Sequence, residues 1–250
     1  MSKLPDHYYS PQGARQLSGL LADAGISADS VVIVHEGESY ADMKTVRESV
    51  GYLPEERLEE RIEYSRRCVD LAVALGAPRV TTHMGVLPED QSDPGYARLL
   101  FAVREVGAYA KARGVTLALE TGQETAQALL EFLGKVSDLS VGVNFDPANL
   151  VLYDVDDPLR SLQVLRKHVI GVHVKDGIPP RVPGQLGQEV SPGRGKARLV
   201  ECLKYLVASG YEGTFIIENY VARGAPLEQR IGELRYARRF VEGTLGDQIA

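Results

Sequence analysis

The stretch "IGVHVKDG", residues 170–177, is an apolar run that turns polar at His173 and closes on a lysine and an aspartate. Three other apolar runs reach an acidic residue near their ends: "VTLALETG" at 115–122 reaches Glu120, "VGVNFDPANL" at 141–150 reaches Asp146, and "GTFIIENY" at 213–220 reaches Glu218. A buried strand is a poor place for an unpaired carboxylate, because removing its hydration shell is costly. The repeated pattern therefore indicates that these strand ends share a function.

Short β-rich runs alternate with longer helical patterns through the whole chain of 250 residues. The six predicted strands are "VVIVHE", "RVTTHMG", "VTLALETG", "VGVNFD", "VIGVHVKD" and "TFIIENY". Between them the apolar residues recur at three- and four-residue intervals, as in amphipathic helices. Apolar strands separated by helices predict a parallel sheet that helices cover. Because no linker or change of composition interrupts this pattern, we expect one domain over residues 1–250.

The spacing of these residues favours a barrel. Asp146 follows Glu120 by 26 residues and His173 follows Asp146 by 27, while one βα unit of a (β/α)₈ barrel takes about 30 residues. The longer interval from His173 to Glu218 holds one such unit plus a Gly/Pro-rich stretch at 176–196, which we interpret as a lid without regular structure. The predicted fold class is therefore α/β, a (β/α) TIM barrel.

The strand count predicts that the barrel is incomplete. Six strands are recognisable, where a complete barrel has eight. The residues before Val31 contain one helical pattern, at 13–25, and no convincing strand. We therefore expect a barrel that is open at its N-terminal edge, which would give the chain a reason to form a homodimer.

The net charge and the cysteines indicate which binding partners and which cellular compartment to expect. The net charge of −6 argues against a nucleic-acid partner, because phosphate binding depends on clustered Lys and Arg. No apolar run is long enough to span a membrane, and the first residues lack the apolar core of a signal peptide. Cys68 and Cys202 lie in predicted helices and outside any CxxC motif, so we expect buried free thiols and a cytoplasmic protein.

The strand-end residues suit a metal ion. Side chains alternate along a strand, so Glu120, Asp146, His173 and Glu218 can all face the barrel interior at its C-terminal end, where barrel active sites lie. Three carboxylates that converge without a cation repel one another. This mostly oxygen donor set suits Mn²⁺ or Mg²⁺, and it is also compatible with Zn²⁺ or Co²⁺. The alternative is a buried network of ion pairs with Arg and Lys.

The order Glu, Asp, His, Glu on successive strand ends resembles the xylose isomerase-like TIM barrels, the sugar phosphate isomerase/epimerase family. This family also contains D-tagatose 3-epimerase, inosose dehydratase and endonuclease IV. The resemblance runs from "VVIVHEG" to the C-terminus, and its most specific motifs are "LALET", "NFDPANL", "GVHVKD" with the following "PGRG", and "FIIEN". It implies that Glu120, Asp146, His173 and Glu218 are metal ligands.

The resemblance also implies roles in catalysis. Glu120 and Glu218 match the acid/base pair of the epimerases, which moves a proton next to a carbonyl through a metal-stabilised enediolate. Lys175, two residues past His173, would add positive charge near the developing oxyanion. Alternatively, Lys175 and Asp176 pair with each other or with a neighbouring loop.

Four further residues are candidates for binding substrate. His35 and His83 match the two histidines that hold a second metal in endonuclease IV, although each is also compatible with a structural role. Asn149 either contacts substrate or caps the helix that follows Asp146. Arg194, in the Gly/Pro-rich stretch, either binds a substrate phosphate or carboxylate or is solvated.

The leading hypothesis is a metal-dependent isomerase or epimerase of a small sugar or sugar phosphate. One alternative is a dehydratase of a keto-polyol or related cyclic acid, because the same enolate can expel a β-hydroxyl. Another is a two-metal phosphodiesterase similar to endonuclease IV. The third metal site of that enzyme is broken here, because Asn149 replaces a histidine and the loop after His173 has no Asp-x-His motif. A binding protein without metal or catalysis is the last alternative.

Overall fold

A computed structural model of the chain describes residues 3–218 and 224–246. Asn219 and Tyr220, at the end of the last predicted strand, lie outside the described residues. Contacts group the chain into two compact units, which are Met1–Glu120 with Ala128–Gly142, and Thr121–Gln127 with Val143–Ala250. The expectation of one domain stays a prediction.

The elements alternate as the sequence predicts. The helices are α1 (Pro11–Asp23), α2 (Met43–Ser49), α3 (Leu58–Leu75), α4 (Pro94–Ala112), α5 (Ala126–Gly134), α6 (Pro147–Leu152), α7 (Pro158–Leu165), α8 (Leu199–Ala208) and α9 (Leu227–Leu245). The strands are β1 (Ser30–Ile33), β2 (Arg79–Thr82), β3 (Thr116–Glu120), β4 (Val141–Phe145), β5 (Val169–Val174), β6 (Asp176–Ile178), β7 (Gln188–Val190) and β8 (Phe215–Ile217).

The main sheet has six strands in the order β1-β2-β3-β4-β5-β8. The pairs β1–β2, β2–β3, β4–β5 and β5–β8 are parallel. All six predicted strands are thus present, and the parallel sheet between helices is confirmed. Within the part of the chain that the structure describes, β1 and β8 are the two end strands of this order.

Local sequence signals set the helix boundaries. The Ser10 hydroxyl accepts a hydrogen bond from the Gly13 amide at 3.1 Å and caps α1. The Asp93 carboxylate accepts one from the Gly95 amide at 2.6 Å and caps α4. Gly76 ends α3 in the left-handed conformation, with φ of 70°, which a side chain would strain. The chain then turns directly into β2, as the Gly-before-strand pattern predicts.

The first unit has an apolar interior that contains one of the two cysteines. Val46, Tyr52, Val80 and Leu99 are fully buried, as is Cys68. In the second unit Cys202 is also buried, and both thiols are free, so the predicted buried free thiols are confirmed. No helix among residues 3–218 and 224–246 combines the length and apolarity that crossing a bilayer requires.

The second unit has a core beneath β5 and β8. The buried side chains of this core are Ala148, Val151, Leu152, Val174, Ala197, Leu199, Leu203, Val241 and Leu245. Phe215 and Ile217 of β8 pack against it and are partly buried. The core therefore supports the ends of β5 and β8 from one side, next to His173 and Glu218.

The Gly/Pro-rich stretch after His173 is partly regular. β6 and β7 form an antiparallel hairpin in which Asp176 pairs with Val190. The Asp176 carboxylate accepts hydrogen bonds at 2.9–3.0 Å from four backbone amides, those of Gly177, Gly193, Gly195 and Ala197. The expectation of a lid without regular structure is therefore wrong at 176–178 and 188–190, because one buried carboxylate fastens the hairpin to the loop that follows it.

Candidate functional site

His173 and Glu218 are brought together by the pairing of β5 with β8. His173 lies opposite Ile216 in this register, and the Glu218 amide donates a hydrogen bond to the Val174 carbonyl at 3.3 Å. The two side chains consequently project from neighbouring strand ends. His173 Nδ1 lies 3.0 Å from Glu218 Oε2. Parallel pairing therefore produces the His–Glu contact that the sequence predicts.

Asp146 follows β4 and caps α6. Its Oδ1 accepts hydrogen bonds from the Ala148 and Asn149 amides at 2.9 and 3.1 Å. Its backbone amide donates to the Thr121 hydroxyl at 2.8 Å, and that hydroxyl donates to the Asp146 carbonyl at 3.0 Å. These bonds fix the carboxylate so that Oδ2 lies 3.4 Å from His173 Nδ1.

Lys175 adds a buried positive charge to this group. Its Nζ lies 2.8 Å from Asp146 Oδ2 and 3.1 Å from Glu218 Oε2. Burial opposes ionisation of Glu218, but the Lys175 charge and a hydrogen bond from His173 outweigh it and hold the pKa of the carboxyl below its ordinary value. Buried ion pairs, the alternative to a metal site, are thus present through Lys175. Of the two alternatives for Asp176, a contact with the neighbouring loop is observed, because its carboxylate accepts the Gly193 and Gly195 amides, whereas Lys175 pairs with Asp146 and Glu218.

Glu120 ends β3 in the first unit and is only 3% exposed. His83, just past β2, places Nε2 at 3.4 Å from Glu120 Oε1. The ring of Tyr40 lies 5.9 Å from the ring of His83, between centroids. The structure therefore places His83 beside a predicted ligand, a position consistent with either of its predicted roles.

Glu120, Asp146, His173 and Glu218 form a cluster that could hold a divalent ion. Each offers one ligand atom, and these four atoms all lie within 4.8 Å of one another. Three carboxylates and one imidazole are a donor set for a hard or borderline divalent cation. The donor chemistry and the close approach of the ligand atoms therefore fit such an ion.

His35 occupies a different environment in the first unit. It is 3% exposed, and its ring contacts the rings of Tyr52 and Tyr64 at centroid distances of 5.0 and 5.9 Å. Neither ring nitrogen has a hydrogen-bond partner within the described residues. Burial, reinforced by the charges of Arg61 and Arg57, lowers the pKa of His35 to about 3, so the imidazole is neutral. His35 lines a cavity of about 190 Å³, and Lys3, Glu60 and Arg67 also line it.

Asn149 and Arg194 have contacts that are structural. The Asn149 side-chain amide donates to the Thr121 carbonyl at 3.0 Å and is buried within the second unit. Arg194 is exposed, and its guanidinium lies 5.7 Å from the centre of the Tyr236 ring. Their predicted contacts with substrate stay predictions. The alternative that Asn149 caps the following helix is wrong, because Asp146 caps α6 and Asn149 lies within it.

Sequence reasoning missed Glu189. This residue lies on β7, and its Oε1 is 3.8 Å from Lys175 Nζ. Burial raises the pKa of Glu189 despite the nearby Lys175 charge. No local pattern marked it, because the three-residue strand "QEV" lies inside a Gly/Pro-rich stretch and its position depends on pairing with β6.

Comparisons with known proteins agree with this architecture. The family model for the xylose isomerase-like TIM barrel matches residues 3–240. A xylose isomerase domain protein from Planctomyces limnophilus is similar in structure, with a TM-score of 0.87 and 31% identity over 96% of this chain and 84% of that chain. The predicted fold class and the family resemblance are both confirmed.

Two further solved structures share the fold at lower identity. A xylose isomerase-like TIM barrel protein from Mycobacterium smegmatis, in complex with magnesium, has a TM-score of 0.71 and 22% identity, covering 96% of this chain and 80% of that chain. A D-tagatose 3-epimerase-like protein has a TM-score of 0.69 and 21% identity, covering 97% and 88% respectively. At this level of identity the likeness concerns the fold.

Proposed function

Because this chain belongs to the xylose isomerase-like TIM barrel family, we propose that it is a divalent-metal-dependent isomerase or epimerase of a small sugar or sugar phosphate. The observation that carries the proposal is the cluster of Glu120, Asp146, His173 and Glu218, whose ligand atoms lie within 4.8 Å of one another. The name of the D-tagatose 3-epimerase-like structure supports a carbohydrate substrate.

The donor set favours Mg²⁺ or Mn²⁺ as the cofactor, because carboxylate oxygens predominate. The magnesium complex of the Mycobacterium smegmatis protein supports the same choice. Asp146 is pre-oriented for this role, since hydrogen bonds from the amides of α6 fix Oδ1 and leave Oδ2 on the side of His173. Manganese preference, a homodimer and a cytoplasmic location belong to the same proposal.

In the proposed reaction, one glutamate removes the proton next to the substrate carbonyl and the other returns a proton to the same carbon. Glu218 is ionised, because Lys175 and His173 favour its carboxylate form. Glu120 lies beside His83, which would orient its carboxylate. A bound divalent cation supplies Lewis-acid stabilisation of the negative charge that develops on the substrate oxygen. The Lys175 ammonium contributes further positive charge on the same side as Glu218.

The test is proton exchange in D₂O. Protein loaded with Mg²⁺ or Mn²⁺ is incubated with a panel of ketoses and ketose phosphates, and deuterium next to the carbonyl is measured by NMR. We expect exchange with at least one of these sugars, its loss in Glu218→Gln and in Glu120→Gln, and no loss in the exposed control Glu228→Gln. Absence of exchange with every sugar would overturn the proposal, and a conjugated enone absorbance would indicate a dehydratase instead.

A further inference from the structure

The ammonium of Lys175 lies within the candidate ligand set itself. It is 2.8 Å from Asp146 Oδ2 and 3.1 Å from Glu218 Oε2, and these two oxygen atoms lie 3.4 and 3.0 Å from His173 Nδ1. The oxygen atoms that would coordinate a cation therefore already contact the lysine, Glu218 Oε2 through a hydrogen bond and Asp146 Oδ2 through an ion pair. A metal ion and Lys175 compete for the same two oxygen atoms.

Lys175 is too deeply buried to turn into water. It is 4% exposed and Asp146 is 0% exposed, so an ammonium that leaves these carboxylates needs another partner inside the protein. Glu189 can serve as that partner, because its Oε1 is 3.8 Å from the same Nζ. This distance is too long for a hydrogen bond and lies near the upper limit for an ion pair, so a small rotation of the lysine would shorten the contact.

Glu189 is held in place by the hairpin. It pairs with Gly177 across β6 and β7, and the Asp176 carboxylate fastens this hairpin to the loop that follows. Its side chain is 38% exposed, whereas Lys175 is almost inaccessible. A fixed, partly solvated carboxylate is a suitable acceptor for a displaced ammonium, because it loses less hydration than a buried one.

We propose that Lys175 is a built-in counter-ion that changes partners when the metal binds. In metal-free protein it pairs with Asp146 and Glu218 and offsets part of their negative charge, and in metal-loaded protein it pairs with Glu189. Lys175 and Glu189 are thus positioning residues that set metal affinity, and this inference rests on the proposed metal-dependent function. The exchange frees both ligand carboxylates for the cation, while the ammonium, which already lies 3.8 Å from Glu189 Oε1, stays beside the site.

The test is metal binding without substrate. Metal-stripped wild type and Lys175→Met are titrated with MgCl₂ and with MnCl₂ by calorimetry, since methionine keeps much of the length and removes the charge. We expect Lys175→Met to bind either ion at least tenfold more tightly and to be less thermally stable than the wild type before the metal is added. Equal or weaker binding by a folded Lys175→Met would overturn the inference.

Glu189→Gln provides the second arm, and its partly exposed position makes folding of the variant straightforward. We expect several-fold weaker metal binding than in the wild type, because the displaced ammonium has lost its acceptor. In the Lys175→Met background the same substitution should change affinity less than twofold. An equal loss in both backgrounds would mean that Glu189 acts independently of Lys175, which contradicts the partner exchange.

These results separate the inference from the proposed function. If the wild type incorporates deuterium but Lys175→Met does not bind metal more tightly, the proposed isomerase stands and the change of partner by Lys175 is overturned. If Lys175→Met binds metal more tightly but the wild type incorporates deuterium into no sugar, the change of partner by Lys175 stands and the proposed isomerase is overturned. Failure of both wild type and Lys175→Met to bind either ion would overturn both.

Discussion

Acid should destabilise this protein through His35, and replacing that residue should remove a defined part of the effect. The pKa of His35 is lowered from 6.5 to about 3 by burial and by the charges of Arg61 and Arg57. Between these two values the unfolded chain binds a proton that the folded chain does not. The contribution of neutral His35 to stability is therefore fully present above pH 6.5 and is lost as the pH falls toward 3.

The magnitude follows from the width of this window. Each pH unit below the unfolded pKa costs about 1.4 kcal/mol of unfolding free energy per proton. Between pH 7 and pH 5 the loss due to His35 is therefore about 2 kcal/mol, a large fraction of the stability of an ordinary domain. Both ring nitrogens of His35 are buried and the imidazole packs against the rings of Tyr52 and Tyr64, so the folded protein solvates the charged form poorly.

The assay is urea denaturation at pH 7 and pH 5 of the wild type and of His35→Phe, which cannot take up the proton. The adjacent cavity of about 190 Å³ gives the larger ring room. We expect the pH-dependent loss of unfolding free energy to be about 2 kcal/mol smaller in His35→Phe. His7→Phe, at an exposed position, controls for the removal of a histidine as such. The same loss in His35→Phe as in the wild type would refute the reasoning.

Two further predictions concern the loop anchor and the thiols. Asp176→Asn should lower the free energy of unfolding by about 2–4 kcal/mol, because four backbone amides lose a charged acceptor. It should also speed trypsin cleavage in the following loop. Cleavage no faster than in the exposed control Asp23→Asn would contradict this. Burial raises the pKa of Cys68 and of Cys202 to about 12. Neither thiol should therefore react with Ellman's reagent in native protein at pH 8, and both should react in urea. Rapid labelling of the native protein would contradict this prediction.

The sequence alone predicts the strands of the main sheet and the ionisable residues at their C-terminal ends. Strands buried on both faces read as apolar runs, and an ionisable residue at the end of such a run is visible without tertiary information. The pairing of β5 with β8 then brings His173 and Glu218 together, although they are distant in the chain. All six predicted strands are present in the main sheet.

The contacts of individual charges were less predictable. Lys175 and Asp176 are adjacent in the sequence, which suggested that they pair. Successive side chains of an extended segment point to opposite sides, however, so Lys175 reaches Asp146 and Glu218 while Asp176 reaches the amides of the following loop. Glu189 escaped notice for a related reason, because a three-residue strand carries too little pattern to be recognised.

The environment of His35 also depends on tertiary packing. The sequence placed it at a strand end like the other candidates, and the match to a second-metal histidine suggested a polar site. The structure surrounds it with two tyrosine rings and nearby arginines, which keep the imidazole neutral. Tyr64 and Arg61 on α3 and Tyr52 in the preceding loop form this environment, and helical spacing alone does not show which of them contact His35.

The central claim is that acids and an imidazole from distant parts of the chain bind a divalent cation. It is tested most directly by elemental analysis of protein loaded with Mg²⁺ or Mn²⁺ and then dialysed, with Glu218→Gln and the exposed control Glu228→Gln treated in parallel. We expect about one divalent ion per chain in the wild type and in the control, and a large loss in Glu218→Gln. A wild type that retains no metal, or a Glu218→Gln variant that retains as much as the wild type, would contradict it.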